Sequence, residues 1–302
     1  MAVLVSIIIR TYNEQRFLRE CLLSIQRQNL VEKVEIIIVD SGSQDNTVKI
    51  ASQFPTKILN INKKEFTFGR ALNLGFSAAS GDILVNISAH CVPTNKKWLS
   101  ELIGPIIKGE CDITFGRQIA RDTENKSSEK LIFSKFFPEL DQVKKVKNFC
   151  HNANSAISRN VLEKIKFDEE LCALEDIDLA VKADKSGFEI CYVPLSIVEH
   201  IHTESYKKIR FRYTNEAIAF GLIHKCRSIS FHQALQMFCS SIKLDMRQTS
   251  KLTITRLWEI ILFRFNQYVG YWQANKKLEG YNQLEDSSYY DPLTKNYIYE
   301  LE

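Results

Sequence analysis

The chain is 302 residues long, 45% hydrophobic and 25% charged, a globular composition that excludes disorder over most of its length. Its 40 basic and 36 acidic residues leave a net charge of +4, too balanced to argue for a nucleic-acid partner. The length accommodates one large α/β domain with an extension, and eight cysteines without a C-x-x-C pair offer no zinc spacing and predict buried free thiols in a reducing cytosol.

The opening MAVLVSIIIRTYNE lacks the basic start of a signal peptide, and no apolar run reaches the ~18 residues of a membrane-spanning helix. Val3 to Ile9 is instead a β-branched run, as in a strand buried on both faces. Glu14 to Gln28 reads as a helix with Phe17, Leu18, Cys21, Leu22 and Ile25 on one face. Val34 to Val39 is a second buried strand ending at Asp40, Asn46 to Phe54 a short helix, and Lys57 to Asn62 a third strand. Arg70 to Ala79 reads as a helix closed by Ser80-Gly81, and Ile83 to Ile87 as a fourth strand. Lys97 to Ile107 is a helix again and Ile113 to Ile119 another strand. Such alternation predicts a mostly parallel sheet with helices on both faces.

Residues 121–150 are polar and lysine-rich and read as a loop of the kind that carries a substrate lid. Asn154 to Ser158 and Phe188 to Val193 read as later strands, with Leu174 to Leu179 leading into a helix between them. From about residue 206 the pattern turns helical: Ile209 to Leu222, Phe231 to Met246, and Thr253 to Lys277. The last of these mixes Trp258, Phe265, Tyr268 and Trp272 with Arg256, Arg264, Lys276 and Lys277. That composition suits packing on the rest of the chain, contact within a homo-oligomer, or an interfacial helix on a membrane surface. The tail beyond Gly280 is polar and tyrosine-rich.

In open α/β sheets ligands bind beyond the carboxyl ends of the strands. Four polar clusters stand at such ends: Arg10-Thr11-Tyr12-Asn13-Glu14, Asp40-Ser41-Gly42-Ser43 with Asp45, Ser88-Ala89-His90, and Glu175-Asp176. Asp40 can accept hydrogen bonds from a base or ribose, whereas Asp45 suits a helix cap. No G-x-G-x-x-G follows the first strand and no G-x-x-x-x-G-K-[ST] occurs, which disfavours a dinucleotide-dependent dehydrogenase and a P-loop enzyme.

The chain resembles the family-2 glycosyltransferases, which have the GT-A fold. The residues that carry the likeness are Ser6 to Glu14, Ile37 to Asp45, Phe68 to Gly75, Ala79 to Leu84 and Glu175 to Leu179. Phe115-Gly-Arg-Gln118, Asn152 to Ile157, Tyr192-Val-Pro194 and Val198 to His202 resemble the bacterial rhamnosyltransferase-like branch. The resemblance covers roughly residues 3–220. It implies a Rossmann-like, mostly parallel α/β sheet over 1–215, flanked by helices and binding a nucleotide sugar, with a C-terminal helical extension over 216–302.

The resemblance also implies roles. Thr11, Tyr12, Asn13, Glu14, Asp40, Ser41, Arg70 and Asn73 would hold the nucleotide, together with Ser88 and Ala89. Asp176 would be the catalytic base and Glu175 would orient the acceptor or the helix start, or the two carboxylates would exchange these roles. Arg117, Gln118 and Asn154 would meet sugar or acceptor. One departure stands out: the family's D-x-D position reads Ser88-Ala89-His90, so either a Mn²⁺ or Mg²⁺ site falls to His90 with His200 and His202, the last two pointed the same way by an extended segment, or no metal is used and the histidines meet the diphosphate as cations. The implied activity is inverting transfer of a sugar, hexosyl or deoxyhexosyl, from a nucleotide-sugar donor to a glycan or lipid-linked glycan acceptor. The implied pathway is bacterial surface polysaccharide synthesis (O-antigen, capsule or lipopolysaccharide), in the cytoplasm or peripherally at the inner face of the membrane. A sugar-phosphate nucleotidyltransferase is the alternative enzyme, disfavoured because the Arg10–Glu14 loop lacks glycine. A catalytically degenerate nucleotide-sugar-binding protein is the non-enzymatic alternative.

Overall fold

The computed structural model describes residues 4–29, 33–227, 229–249 and 251–279, and the backbone of 285–289. The first half runs β1 (Leu4–Thr11), α1 (Leu18–Gln26), β2 (Lys33–Asp40), α2 (Thr47–Ala51), β3 (Thr56–Asn60), α3 (Phe68–Ser77), β4 (Ile83–Ile87), β5 (Cys91–Pro93), α4 (Trp98–Ile107) and β6 (Ile113–Ile119). Then follow α5 (Ser127–Phe136), β7 (Lys144–Val146), β8 (Asn154–Ser158), α6 (Arg159–Lys164), α7 (Glu175–Lys185) and β9 (Ile190–His200). The helical extension comprises α8 (Tyr206–His224), α9 (Phe231–Gln248) and α10 (Ile254–Leu278), and a small ladder pairs β10 (Cys226–Arg227) with β11 (Glu285–Tyr289).

The main sheet has nine strands, ordered β3-β2-β1-β4-β8-β6-β9-β5, with β7 on β9. Six of them run the same way, and β5, β7 and β8 run against them. Period-two alternation makes both faces apolar. Ile8, Ile37 and Val39 join the core on one side, while Ile7, Ile9, Ile36 and Ile38 join the other. That double burial is why the strands read as unbroken hydrophobic runs. A third core joins α8 to α10 through Ile209, Tyr213, Phe263 and Tyr271. Arg264 and Asp245 form a fully buried bidentate pair (2.7 and 2.8 Å) that Ser128 completes, tying α10 and α9 to α5.

Three expectations need correction. Residues 121–150 are not a plain loop: they contain α5 and β7. Average polarity hides the spacing of Ile132, Phe133, Phe136 and Phe137, which places one apolar edge on a helix. The cysteines are not all buried thiols. Cys111 and Cys191 are disulfide-bonded because adjacent parallel β6 and β9 bring their beginnings together, and Cys172 and Cys239 are exposed. A division at 215/216 falls inside α8, a continuous helix capped by Ser205, so the helical extension starts at Tyr206. The tyrosine-rich tail lies outside the described residues, apart from the backbone of β11.

Candidate active site

Common strand direction brings the carboxyl ends of β1, β2, β4, β6 and β9 to one rim, and antiparallel β8 starts there. A cavity of about 620 Å³ opens at this rim and is lined by Tyr12, Asn13, Glu14, Ser88, His90, Asp176, His200 and His202. Residues far apart in sequence thus share one cleft of ligand-binding size.

Three histidines converge within it. Their ligand atoms, one from each of His90, His200 and His202, lie within 4.8 Å of one another. Each ring is fixed through Nδ1: His90 to Glu14 Oε1 at 3.0 Å, His200 to Gln118 Oε1 at 2.6 Å, and His202 to Glu129 Oε1 at 2.6 Å. A carboxylate only accepts, so the Nδ1 atoms of His90 and His202 donate and Nε2 is the atom each ring turns toward the others. The Nε2 atoms of His200 and His202 meet at 2.9 Å. Two lone pairs cannot face each other at that range, so a proton or a metal cation belongs between them. Burial, reinforced by His202 and His90, holds His200 well below its ordinary range and favours its neutral, metal-ligating form. An outer shell of Glu14, Gln118 and Glu129 around converging imidazoles fits a transition-metal ion such as Mn²⁺ better than Mg²⁺.

The carboxylates stand at the start of α7, after Leu174 in the left-handed region (φ 56°). Asp176 reaches the cavity, its Oδ2 accepting from Asn152 N at 3.0 Å and its Oδ1 from Ile177 N at 2.9 Å. Glu175 turns to Arg10 Nη1 at 2.9 Å. Burial raises both pKa values above the ordinary carboxylate range, opposed for Glu175 by Arg10 and for Asp176 by its backbone donors. A base made stronger in this way suits proton abstraction.

Other expected residues take different places. Asp40 is buried and spent on its own turn: it accepts from Thr11 Oγ1 (2.8 Å), Gly42 N (3.0 Å), Ser43 N (2.8 Å) and Ser43 Oγ (2.6 Å), with Gly42 at φ +87°. Ser41 bonds the Thr11 carbonyl in the same turn. Arg70 pairs with Glu169 at 2.9 Å, and Asn73 with Glu169 and the Phe167 carbonyl; both anchor α3 to the 167–169 loop, and neither lines the cavity. Ala89 is a core contact. Arg117 meets Glu139, and Gln118 orients His200. Asn154 is fully buried, accepting from Trp98 Nε1 and donating to the Ser196 carbonyl, so it is scaffold rather than a sugar contact. Asp45 accepts from Thr47 N in the turn before α2, but the N-cap position of that helix is Asn46, one residue later than expected.

Sequence reasoning missed Glu129, His151, Arg212, Glu216 and Lys63. Arg212, from α8, bonds Glu129 and Glu204 and lies 3.6 Å from Glu216. Burial would raise the Glu129 pKa, but His202 and Arg212 hold it at about 2, so it is a fixed anion. His151 is driven to about 4 by burial and stays neutral. Only His151, adjacent to the Asn152 segment, carried a signal in the sequence. Lys63 donates at 2.6 Å to the hydroxyl of Tyr12, which lines the cavity.

A family model described as Glycosyl transferase family 2 matches residues 6–166. O-antigen chain rhamnosyltransferase RfbN of Salmonella typhimurium (strain LT2) is 27% identical over 239 residues, 74% of this chain and 73% of that one. O-antigen chain rhamnosyltransferase WbaN of Salmonella anatum is 28% identical over 204 residues, and the chain spans 63% of its length. Among solved structures, the mannosyltransferase PcManGT of Pyrobaculum calidifontis, in complex with GDP-Man and Mn²⁺, superposes with a TM-score of 0.56 at 17% identity, covering 94% of this chain and 77% of that one. S. aureus TarS 1-349 in complex with UDP gives 0.53 at 16%, covering 93% and 92%. At these identities the structural likeness establishes the GT-A fold.

Proposed function

The chain belongs to glycosyl transferase family 2, and on that premise we propose that it is an inverting, nucleotide-sugar-dependent glycosyltransferase of bacterial surface-polysaccharide synthesis. The observation that carries the reading is the presence of Asp176 and the three converging histidines in one cavity. The donor would be a nucleotide sugar and the acceptor a hydroxyl of a glycan or lipid-linked glycan.

Asp176 takes the proton of the acceptor hydroxyl as its oxygen bonds to the anomeric carbon. The bond from that carbon to the diphosphate oxygen breaks on the opposite face, so the configuration inverts and the electron pair leaves with the diphosphate. Arg10 holds Glu175 against this base and compensates a second buried carboxylate. A divalent ion held by His90, His200 and His202 would supply Lewis-acid stabilisation to the leaving group. Tyr12 and Asn13, which line the cavity, would meet the nucleotide, with Lys63 bonded to the Tyr12 hydroxyl beside them. The aromatic wall of Phe133, Phe137 and Phe149 favours a sugar face that lacks a hydroxyl. That preference and the names of the Salmonella relatives support a deoxyhexosyl donor of the rhamnosyl class.

The test is a thermal-shift screen with UDP, GDP, dTDP and CMP, with and without Mn²⁺. A ligand selective for the folded state raises its melting temperature. One nucleoside diphosphate should stabilise the chain, more so with Mn²⁺. No response to any of them would overturn the reading.

A further inference from the structure

No helix among the described residues is long and apolar enough to cross a membrane, yet α9 and α10 leave a broad apolar face uncovered. On α10, Ile254, Trp258, Leu262, Phe265 and Trp272 are all exposed, Ile254 by 78% and Trp258 by 59%. At 100° per residue they fall within roughly 80° of the helix circumference, so they form one stripe along the whole helix. The opposite side of α10 buries Ile260, Phe263 and Tyr271, the last two packed with α8, so the stripe is not that helix's packing face. On α9, Phe231, Leu235 and Met246 form a second exposed stripe. The two lie edge to edge: Phe231 meets Trp272 at 5.7 Å and Phe238 meets Phe265 at 6.4 Å between ring centres. A contiguous exposed apolar face of this kind marks an interaction surface.

Charge identifies the occupant. Residues 231–278 contain seven Lys and Arg but only two acids. Asp245 is buried with Arg264, and Glu259 accepts from Ser127 N. Of the exposed cations, Lys276 falls within the α10 stripe and Lys243 and Lys277 lie within about 60° of a stripe edge, whereas Arg256 starts α10 on its opposite side. Two copies brought together through this face would set cations against cations, whereas an anionic lipid surface takes up the aromatic stripe and neutralises its basic rim. We propose that the α9–α10 face docks the protein, without spanning, on an anionic membrane surface. The face lies outside the catalytic cleft, so the proposal stands apart from the functional reading.

The experiment is flotation of the full chain with phosphatidylcholine vesicles and with vesicles made half of phosphatidylglycerol. The expected result is recovery with the anionic vesicles at least ~10-fold above that with phosphatidylcholine, falling as salt is raised. Trp258→Glu with Leu262→Glu should lose that recovery while keeping the melting temperature of the parent, because both side chains are exposed. Unchanged flotation of the double variant overturns the proposal. So does a parent chain that fails to float, including one that sediments as a dimer dissociated by the same variant, since a second copy then covers the face.

Discussion

The Nε2 atoms of His200 and His202 stand 2.9 Å apart while the Nδ1 atom of each ring is held 2.6 Å from Gln118 or Glu129. Neither ring can turn away without breaking its Nδ1 hydrogen bond, so the pair is pre-set to share a cation. Chelator treatment is expected to abolish sugar transfer, with Mn²⁺ restoring it and Mg²⁺ doing so poorly, because imidazole is a weak partner for Mg²⁺. Glu129→Gln should weaken Mn²⁺ binding by about 10- to 100-fold in a calorimetric titration, since it removes the carboxylate that orients His202. Full activity in chelator would show instead that protonated imidazoles offset the diphosphate charge.

Asp176→Asn keeps the shape of the side chain and removes its capacity to take a proton. Turnover is expected to fall by roughly 10² to 10⁴, the usual contribution of a positioned base. The melting shift caused by the nucleotide should persist, because Tyr12 and Asn13 are untouched. The same carboxylate sets the acid limb of the rate profile: it works only when ionised, so rate falls as pH drops through its raised pKa. Retained turnover in Asp176→Asn would pass the role of base to another carboxylate.

The strands and the strand-end clusters are legible in the sequence for one reason: a sheet buried on both faces needs apolar runs, and the polar residues that end them mark the ligand rim. His200 and His202 are legible through their spacing in an extended segment, and His90 through its place at the family's D-x-D position. Glu129 and Arg212 are not, because the residues that place them belong to α5 and α8, and the polar average over 121–150 conceals the apolar edge of α5. Asn154 misleads for a different reason. A buried polar side chain on a strand has the same letter whether it meets a ligand or, as here, Trp98 and the Ser196 carbonyl. The Cys111–Cys191 bond needs the β6–β9 neighbourhood, which only the strand order supplies.

Gly116 marks how tightly the rim is built. A Cβ there would sit 2.3 Å from Asn154 Nδ2 and from the Ser196 carbonyl, neither of which can retreat. Gly116→Ala should cost at least ~2 kcal/mol of stability, the range of an overpacked core site, read as a lower urea midpoint. Gly104, inside α4 and followed by Pro105, is the control: outside its own helix backbone and chain neighbours nothing lies within 4 Å of its missing Cβ. Gly104→Ala should shift the midpoint by less than ~1 kcal/mol, because the gain in helix propensity is opposed by the Pro105 ring against the new Cβ. Equal midpoints for the two variants would mean that β6 and β8 are less tightly packed than described.

Glu216 lines the cavity with its carboxylate 3.6 Å from Arg212, yet burial, reinforced by Glu204 and Asp176, outweighs that cation and pushes its pKa from 4.5 up to about 7. The folded state therefore binds this proton more tightly than the unfolded chain does. The resulting contribution to stability is fully present below the unfolded value of 4.5 and is lost as pH rises through about 7. Glu216→Gln never ionises and escapes that loss, while Arg212 keeps Glu129 and Glu204 as partners. Relative to the parent, its melting temperature should climb between about pH 5 and pH 8, by an amount on the order of 2 kcal/mol in stability. A difference that stays flat across that interval would mean that Arg212 holds Glu216 ionised throughout, with the ion pair prevailing over desolvation.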